Sequence, residues 1–254
     1  MLKVSGLTTE HCIRQPLAFA VEAGSMVAIL GRNGAGKTTL IRAISGELNA
    51  ASGTIRIEET PIAELNSRQR AQRMSVVGQG EIKPNGFTVR EFVMMGRYAH
   101  QEWLAPPSER DLTAVEKAME RVQILHIADR FIETLSGGEY QRARIARALT
   151  QNTKLMLLDE PMAHLDIAAK HQIANLLREL NGADAITIIA AVHDLNIAAL
   201  YFNQVAIMVD GQLTTVGSVD AVMTSSNLSR AFEVALDQIE HPASPRPQFL
   251  GYWQ

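Results

Sequence analysis

Short runs of apolar residues alternate along most of the chain with longer stretches of helical spacing. Five of the runs, Met26–Leu30, Met74–Val77, Leu155–Leu158, Ala185–Val192 and Val205–Val209, are short, apolar and rich in β-forming residues, as strands are. Strands separated by helices predict an α/β fold with a largely parallel sheet. From Glu81 to about Thr134 the pattern changes. There "TVREFVMMGRYA" and "ERDLTAVEKAMERVQIL" both carry helical periodicity, and the two prolines of "LAPPSE" enforce a break between them. The simplest account is a helical insert in an α/β core. The closing "EHPASPRPQFLGYWQ" holds three prolines and is expected to run extended over the surface.

Composition narrows the class without naming a chemistry. The 254 residues allow one large domain or two small ones, and 46% hydrophobic with 20% charged residues is ordinary for a soluble globular protein. No segment approaches the ~18 consecutive apolar residues of a membrane helix. The opening "MLKVSGLTTE" lacks a basic stretch followed by an apolar core, so no secretion signal is expected and the cytoplasm is the expected compartment. The single cysteine, Cys12, agrees with that. A net charge of -3 offers no field to gather nucleic acid, and no such partner is expected.

Chemistry enters with "GRNGAGKTT", Gly31 to Thr39, which lies between a predicted strand and the predicted helix "TTLIRAIS". The spacing G-x-x-x-x-G-K-[ST] is filled by Gly31, Gly36, Lys37 and Thr38 in the context the motif requires. Its glycines let successive N–H groups face phosphates, Lys37 reaches the β and γ phosphates, and Thr38 can ligate Mg²⁺. Gly31, Asn33, Gly34, Ala35, Gly36, Lys37, Thr38 and Thr39 are thus the expected nucleotide loop. "LMLLDEP" then delivers Asp159 and Glu160 at a strand end, where ligand sites of α/β sheets lie. Asp159 would hold Mg²⁺, mostly through water, and Glu160 would polarise the attacking water; a solvated acidic turn is the other reading of that string alone. "LSGGEYQ" starts another helix, with Ser136 as its cap and the bare N–H groups of Gly137 and Gly138 able to hold a second phosphate.

In this order the phosphate loop, Gln79 in "VVGQG", "LSGGE", "LLDEP", "AHLD" and "AVHD" closely resemble the nucleotide-binding subunits of ATP-binding cassette (ABC) proteins, from about Leu2 to Phe249. The resemblance implies an α/β P-loop NTPase core with a largely parallel sheet, an antiparallel β element and an inserted α-helical subdomain. All 254 residues would form one nucleotide-binding domain, with 1–80 and 135–240 as catalytic core, 81–134 as helical subdomain and 241–254 as tail. It also implies ATP with Mg²⁺ and a head-to-tail homodimer in which each ATP is sandwiched between the phosphate loop of one subunit and "LSGGE" of the other. Ser136 and Gly138 would then contact the γ-phosphate in trans, Gln79 would link metal and water to the insert, Asp166 would sit at the subunit contact and His193 would bind the γ-phosphate. On its own, a histidine after an apolar strand is more often structural.

"GFTVREFVMMGRYAH", "HLDIAAKHQI" and "HPASPRP" look like the importer ATPases for iron chelates: ferric siderophores, haem and the related cobalamin. The implied partners are a transmembrane permease and, indirectly, a periplasmic or surface substrate-binding protein, with the subunit peripheral on the cytoplasmic face of the cell membrane. An exporter subunit, or a soluble ABC ATPase acting on DNA or ribosomes, are the rival readings. The sequence departs from the family at Met162, where threonine is usual, and at Ala163. It also has no Phe, Tyr or Trp in "TTEHCIRQ", where such subunits commonly stack an aromatic ring on adenine. His11 is the only ring there, as able to be an exposed loop histidine as a stacking partner.

Overall fold

The computed structural model describes residues 1–102, 105–240 and 245–252. Antiparallel strands β1 (Leu2–Thr8) and β2 (Leu17–Val21) lead into β3 (Met26–Leu30), a glycine loop and helix α1 (Lys37–Ser45). Next come β4 (Ser52–Ile57), β5 (Thr60–Pro61), α2 (Ser67–Ala71) and β6 (Met74–Val77), then α3 (Val89–Met94), α4 (Glu109–Arg121) and α5 (Gly137–Thr150). The remainder alternates as β7 (Leu155–Asp159), α6 (Ile167–Asp184), β8 (Thr187–Ala191), α7 (Leu195–Tyr201) and β9 (Gln204–Val209). Last come β10 (Gln212–Ser218), α8 (Val219–Val222), α9 (Ser225–Phe232), β11 (Ala235–Ile239) and β12 (Gln248–Tyr252).

The central sheet has the order β10-β9-β3-β8-β7-β6 and is parallel except for the β10 edge; a separate antiparallel sheet runs β2-β1-β4-β5. This is the expected α/β class. Continuous apolar runs are explained by burial on both faces. Met26, Ala28 and Leu30 of β3 join one core, while Val27 and Ile29 join another; Met156 and Leu158 against Leu155 and Leu157 divide β7 in the same way. The first core carries α5, α6 and α7, together with Val89, Phe92, Val115 and Met119 of the helical stretch. The second is closed by α1, through Leu40, Ile41 and Ile44, and by the antiparallel sheet. Each such fully buried side chain contributes roughly 1.5–3 kcal/mol.

The proline break falls in irregular chain at 105–108, with Leu104 outside the described residues. Ser108 caps α4 in a capping box with Asp111. Arg97, on the 3₁₀ turn after α3, fastens the cap to α5: its Nε donates to Asp111 Oδ1 at 2.8 Å and its Nη1 to the Thr150 carbonyl at 2.6 Å. At the other end of the chain, Glu240 follows β11, and Gln248–Tyr252 is extended as expected but paired rather than loose. It forms β12 against β11, buries Phe249 and is held by Asn196, whose Oδ1 accepts the Phe249 N–H at 2.8 Å. Residues 245–247 lead into β12 through a bend, and 241–244 and 253–254 lie outside the described residues.

Hydrogen bonds from Ser108, then those and the charge of Arg97, hold the Asp111 carboxyl at about 2, below its ordinary 3.8, against the opposing effect of burial. A depressed folded value means stabilisation that is complete above about pH 4 and fades as pH falls toward about 2. Asp111→Asn should therefore cost about 2 kcal/mol at neutral pH, and its urea midpoint should converge on that of the wild type across that acidic window.

Candidate functional site

Parallel pairing puts the ends of β3, β8, β7 and β6 along one edge of the sheet, and each strand delivers one piece of the site there. After β3 the chain turns through the glycine loop into α1. A Cβ on Gly31 would overlap the Met208 carbonyl, and one on Gly36, where φ is 104°, would come within 2.8 Å of Met208 Cε and 2.9 Å of Cys12 Sγ. Gly34, at φ 81°, has open space around it, as does its exposed neighbour Asn33. Ala35 is buried and its carbonyl accepts the Gly211 N–H at 2.9 Å, which ties the loop to the β9–β10 turn.

Lys37 is 4% exposed and its ammonium folds back on the loop, donating to the Gly31 carbonyl at 2.7 Å and the Arg32 carbonyl at 3.0 Å. Burial holds it below the usual lysine range, with Glu160 and Asp159 opposing. Thr38, partly buried like Thr39, donates from Oγ1 to Asp159 Oδ1 at 3.1 Å. Burial pushes Asp159 above the usual carboxylate range; the Thr38 hydroxyl opposes this, Glu160 adds to it, and Lys37 and His193 oppose it.

Glu160 follows in the left-handed region at φ 51°, with its N–H donating to the Ala191 carbonyl at 3.2 Å. Both of its carboxylate oxygens are taken. Gln79 Nε2 donates to Oε2 at 2.7 Å, and His193 Nε2 meets Oε1 in a short contact. A carboxylate only accepts, so the amide nitrogen of Gln79 must face it, and the amide oxygen is left for another ligand. His193 is delivered by β8 through Val192, whose N–H donates to the Ile29 carbonyl at 3.0 Å. Met162 is buried in the first core, and Ala163 closes the turn after Glu160 by donating to its carbonyl at 3.0 Å.

The structure thus brings Lys37, Thr38, Gln79, Asp159, Glu160 and His193 together. Ser136, Gly137 and Gly138 are not joined to that group by any hydrogen bond among the described residues. They start α5, where Ser136 Oγ accepts the Glu139 N–H at 3.3 Å and the Ser136 N–H donates to Glu139 Oε2 at 2.8 Å. Asp166 caps α6 by accepting the Ala169 N–H at 2.8 Å, beside Ile167, which is 77% exposed. The side chain of His11 is 92% exposed and lies 3.7 Å from Glu10; its neighbour Cys12 is what touches the glycine loop.

Sequence reading missed two contacts to this region. Arg32 in the loop pairs with Glu233 at the end of α9, and Glu81 is held by Arg144 and Arg147. The first pairs partners two hundred residues apart and left no local signal. The second left one: an acid two places after Gln79, opposite two arginines three apart on one helix face.

A family model described as ABC transporter matches residues 14–163, more than half of the chain. The chain belongs to the ABC transporter family. The match takes in the glycine loop, Gln79, Ser136, Asp159 and Glu160, while Asp166 and His193 lie beyond it. Two relatives in the ABC transporter family are similar over nearly their whole length. The hemin import ATP-binding protein HmuV of Methylobacillus flagellatus is 35% identical, with 92% of this chain and 89% of the relative covered. The ferric enterobactin transport ATP-binding protein FepC of Escherichia coli K12 is 34% identical, with 94% and 88% covered. A solved ABC transporter structure in an inward-facing conformation superposes at a TM-score of 0.88 over 99% of this chain and 97% of that one, at 28% identity.

The glycine loop gives a paired test. Gly34→Ala meets only backbone strain and should cost about 1 kcal/mol. Gly31→Ala must move the backbone of β9 and should cost about 2 kcal/mol or more. Thermal unfolding of both variants measures this, and equal losses would contradict the close approach of Met208.

Proposed function

We propose that this chain is the ATP-hydrolysing subunit of an importer, driving an iron chelate through a membrane permease. What carries the reading is one continuous polar chain, in which Thr38 bonds Asp159 and the next residue, Glu160, is held between Gln79 and His193. Lys37 would exchange the Gly31 and Arg32 carbonyls for the β and γ phosphates of ATP. Asn33, Gly34, Ala35, Gly36 and Thr39 would line the phosphate path with backbone N–H groups.

Mg²⁺ fits the donors present: the Thr38 hydroxyl and Asp159 carboxylate are adjacent hard oxygens, and the amide oxygen of Gln79 is spare. When bound, the ion would neutralise charge developing on the phosphates. Glu160 would accept the proton of the attacking water at a carboxylate oxygen once its present partners release it, and His193, half-exposed, would then be free to donate to the γ-phosphate.

Among the described residues no second helix start reaches the glycine loop, so the site would be completed by Ser136, Gly137 and Gly138 of a second copy, with Asp166 and the exposed Ile167 at the contact. In this reading 1–80 and 135–240 form the catalytic core and 81–134 the helical subdomain that meets the permease, with 241–254 as tail. Among the described residues no helix is long and apolar enough to cross a membrane, which suits a peripheral subunit on the cytoplasmic face that works with a substrate-binding protein across the membrane. The similarity to HmuV and FepC supports haem or a ferric siderophore as cargo, with cobalamin as the related third.

Glu160→Gln should leave ATP binding intact and reduce hydrolysis at least ~100-fold, and the variant should run as a dimer on size exclusion with ATP and Mg²⁺. Unchanged hydrolysis would remove Glu160 from the role of base. A heterodimer of one Ser136→Arg chain and one Lys37→Ala chain retains one composite site free of both changes. Verified heterodimers should regain part of the activity that both homodimers lack, whereas a site built within one chain gives no recovery.

A further inference from the structure

Glu81 lies two residues beyond Gln79 and has no place in the polar chain at Glu160. Its carboxylate is mostly buried against α5. Arg147 Nη2 donates to its Oε2 at 2.7 Å, and Arg144 Nη2 lies 3.4 Å from its Oε1. The same Oε1 accepts the Gly78 N–H at 3.4 Å, while Arg144 Nη2 donates to the Gly78 carbonyl in a short contact. Gly78 immediately precedes Gln79, so both of its backbone polar groups are gripped by the acid–arginine cluster.

The two arginines are themselves immobilised. Arg147 lies over the Phe92 ring at 4.6 Å, and Arg144 lies near the Tyr140 ring at 5.8 Å and donates from Nη1 to Gln141 Oε1 at 2.8 Å. Burial alone would push the Glu81 carboxyl up, and Arg147 and Arg144 outweigh it and hold it below the usual carboxylate range, so the cluster stays ionic. Among the described residues, two buried donors at this joint, Arg144 Nε and Gln141 Nε2, have no hydrogen-bond partner.

We propose that Glu81 is a positioning residue for hydrolysis: held by Arg144 and Arg147 of α5, it fixes Gly78 and so the reach of Gln79 to the Glu160 carboxylate. Because α5 begins at Ser136, the link passes any displacement of that helix to Gln79 as a rigid pull rather than through slack loop. This rests on the reading of Gln79 and Glu160 given above.

The test is steady-state ATP hydrolysis by the full chain. Glu81→Ala should lower kcat about tenfold while KM for ATP stays within about twofold, since the phosphate loop is untouched. Glu81→Gln, which keeps the shape and removes the charge, should fall between wild type and alanine and serves if the alanine variant folds poorly. In a Gln79→Ala background, adding Glu81→Ala should lower kcat by less than about twofold more, because a residue acting through Gln79 has nothing left to position. Multiplying losses, an unchanged kcat per folded molecule with only a lowered Tm, or a change confined to KM would each overturn the proposal. Glu160→Gln assayed alongside separates the two claims. If it retains hydrolysis the reading of the site fails, and if it abolishes hydrolysis while the Glu81 variants behave as wild type, only the positioning role does.

Discussion

Three parallel ladders, β3 on β8, β8 on β7 and β7 on β6, decide where the chemical groups of the site stand. Ile29 pairs with Ala191 and Ala191 with Asp159, so the glycine loop, His193 and the Asp159–Glu160 pair leave the sheet at one level. Parallel strands need long crossovers, and the crossovers here are the helices that cover both faces. Burial on both faces makes the register costly to slip, because shifting β7 by one residue would exchange the side chains of the two cores. The precision of the site is inherited from hydrophobic packing that contains no catalytic residue.

Charge at that edge is partnered within the chain itself. Lys37 and Asp159 are both buried, and each would be expensive to leave without partners. Lys37 satisfies two backbone carbonyls and Asp159 takes the Thr38 hydroxyl. On the reading proposed above, a phosphate would exchange hydrogen bonds at Lys37, and its binding strength would depend on how much better phosphate oxygens are than carbonyls as partners for an ammonium. Glu160 is restrained in the same way by Gln79 and His193, which occupy both of its carboxylate oxygens.

The parts that local chemistry dictates were readable from the sequence. The five strand cores, the glycine loop, the caps at Ser136 and the acids after β7 all follow from short stretches whose spacing has one physical meaning. What needed three dimensions was pairing across the chain. Arg32 with Glu233, Asn196 with Phe249 and Cys12 against Gly36 join segments whose sequences say nothing about each other. The tail shows the limit well: its prolines read as surface chain, yet Phe249 finds a buried place because Asn196 supplies the two hydrogen bonds its backbone lacks. His11 is the reverse, a ring at a suggestive position that faces solvent.

The backbone at Glu160 sits where side chains other than glycine are strained, at φ 51°. A glycine there would relax the turn by about 1 kcal/mol and would remove the carboxylate that, on the proposed reading, accepts the proton of the attacking water. Selection for thermal robustness and selection for turnover therefore pull this one position in opposite directions. If Glu160 is the base proposed above, a version of the chain tuned only for stability would drift toward a cassette that still folds and still grips nucleotide, but has lost the means to cleave it.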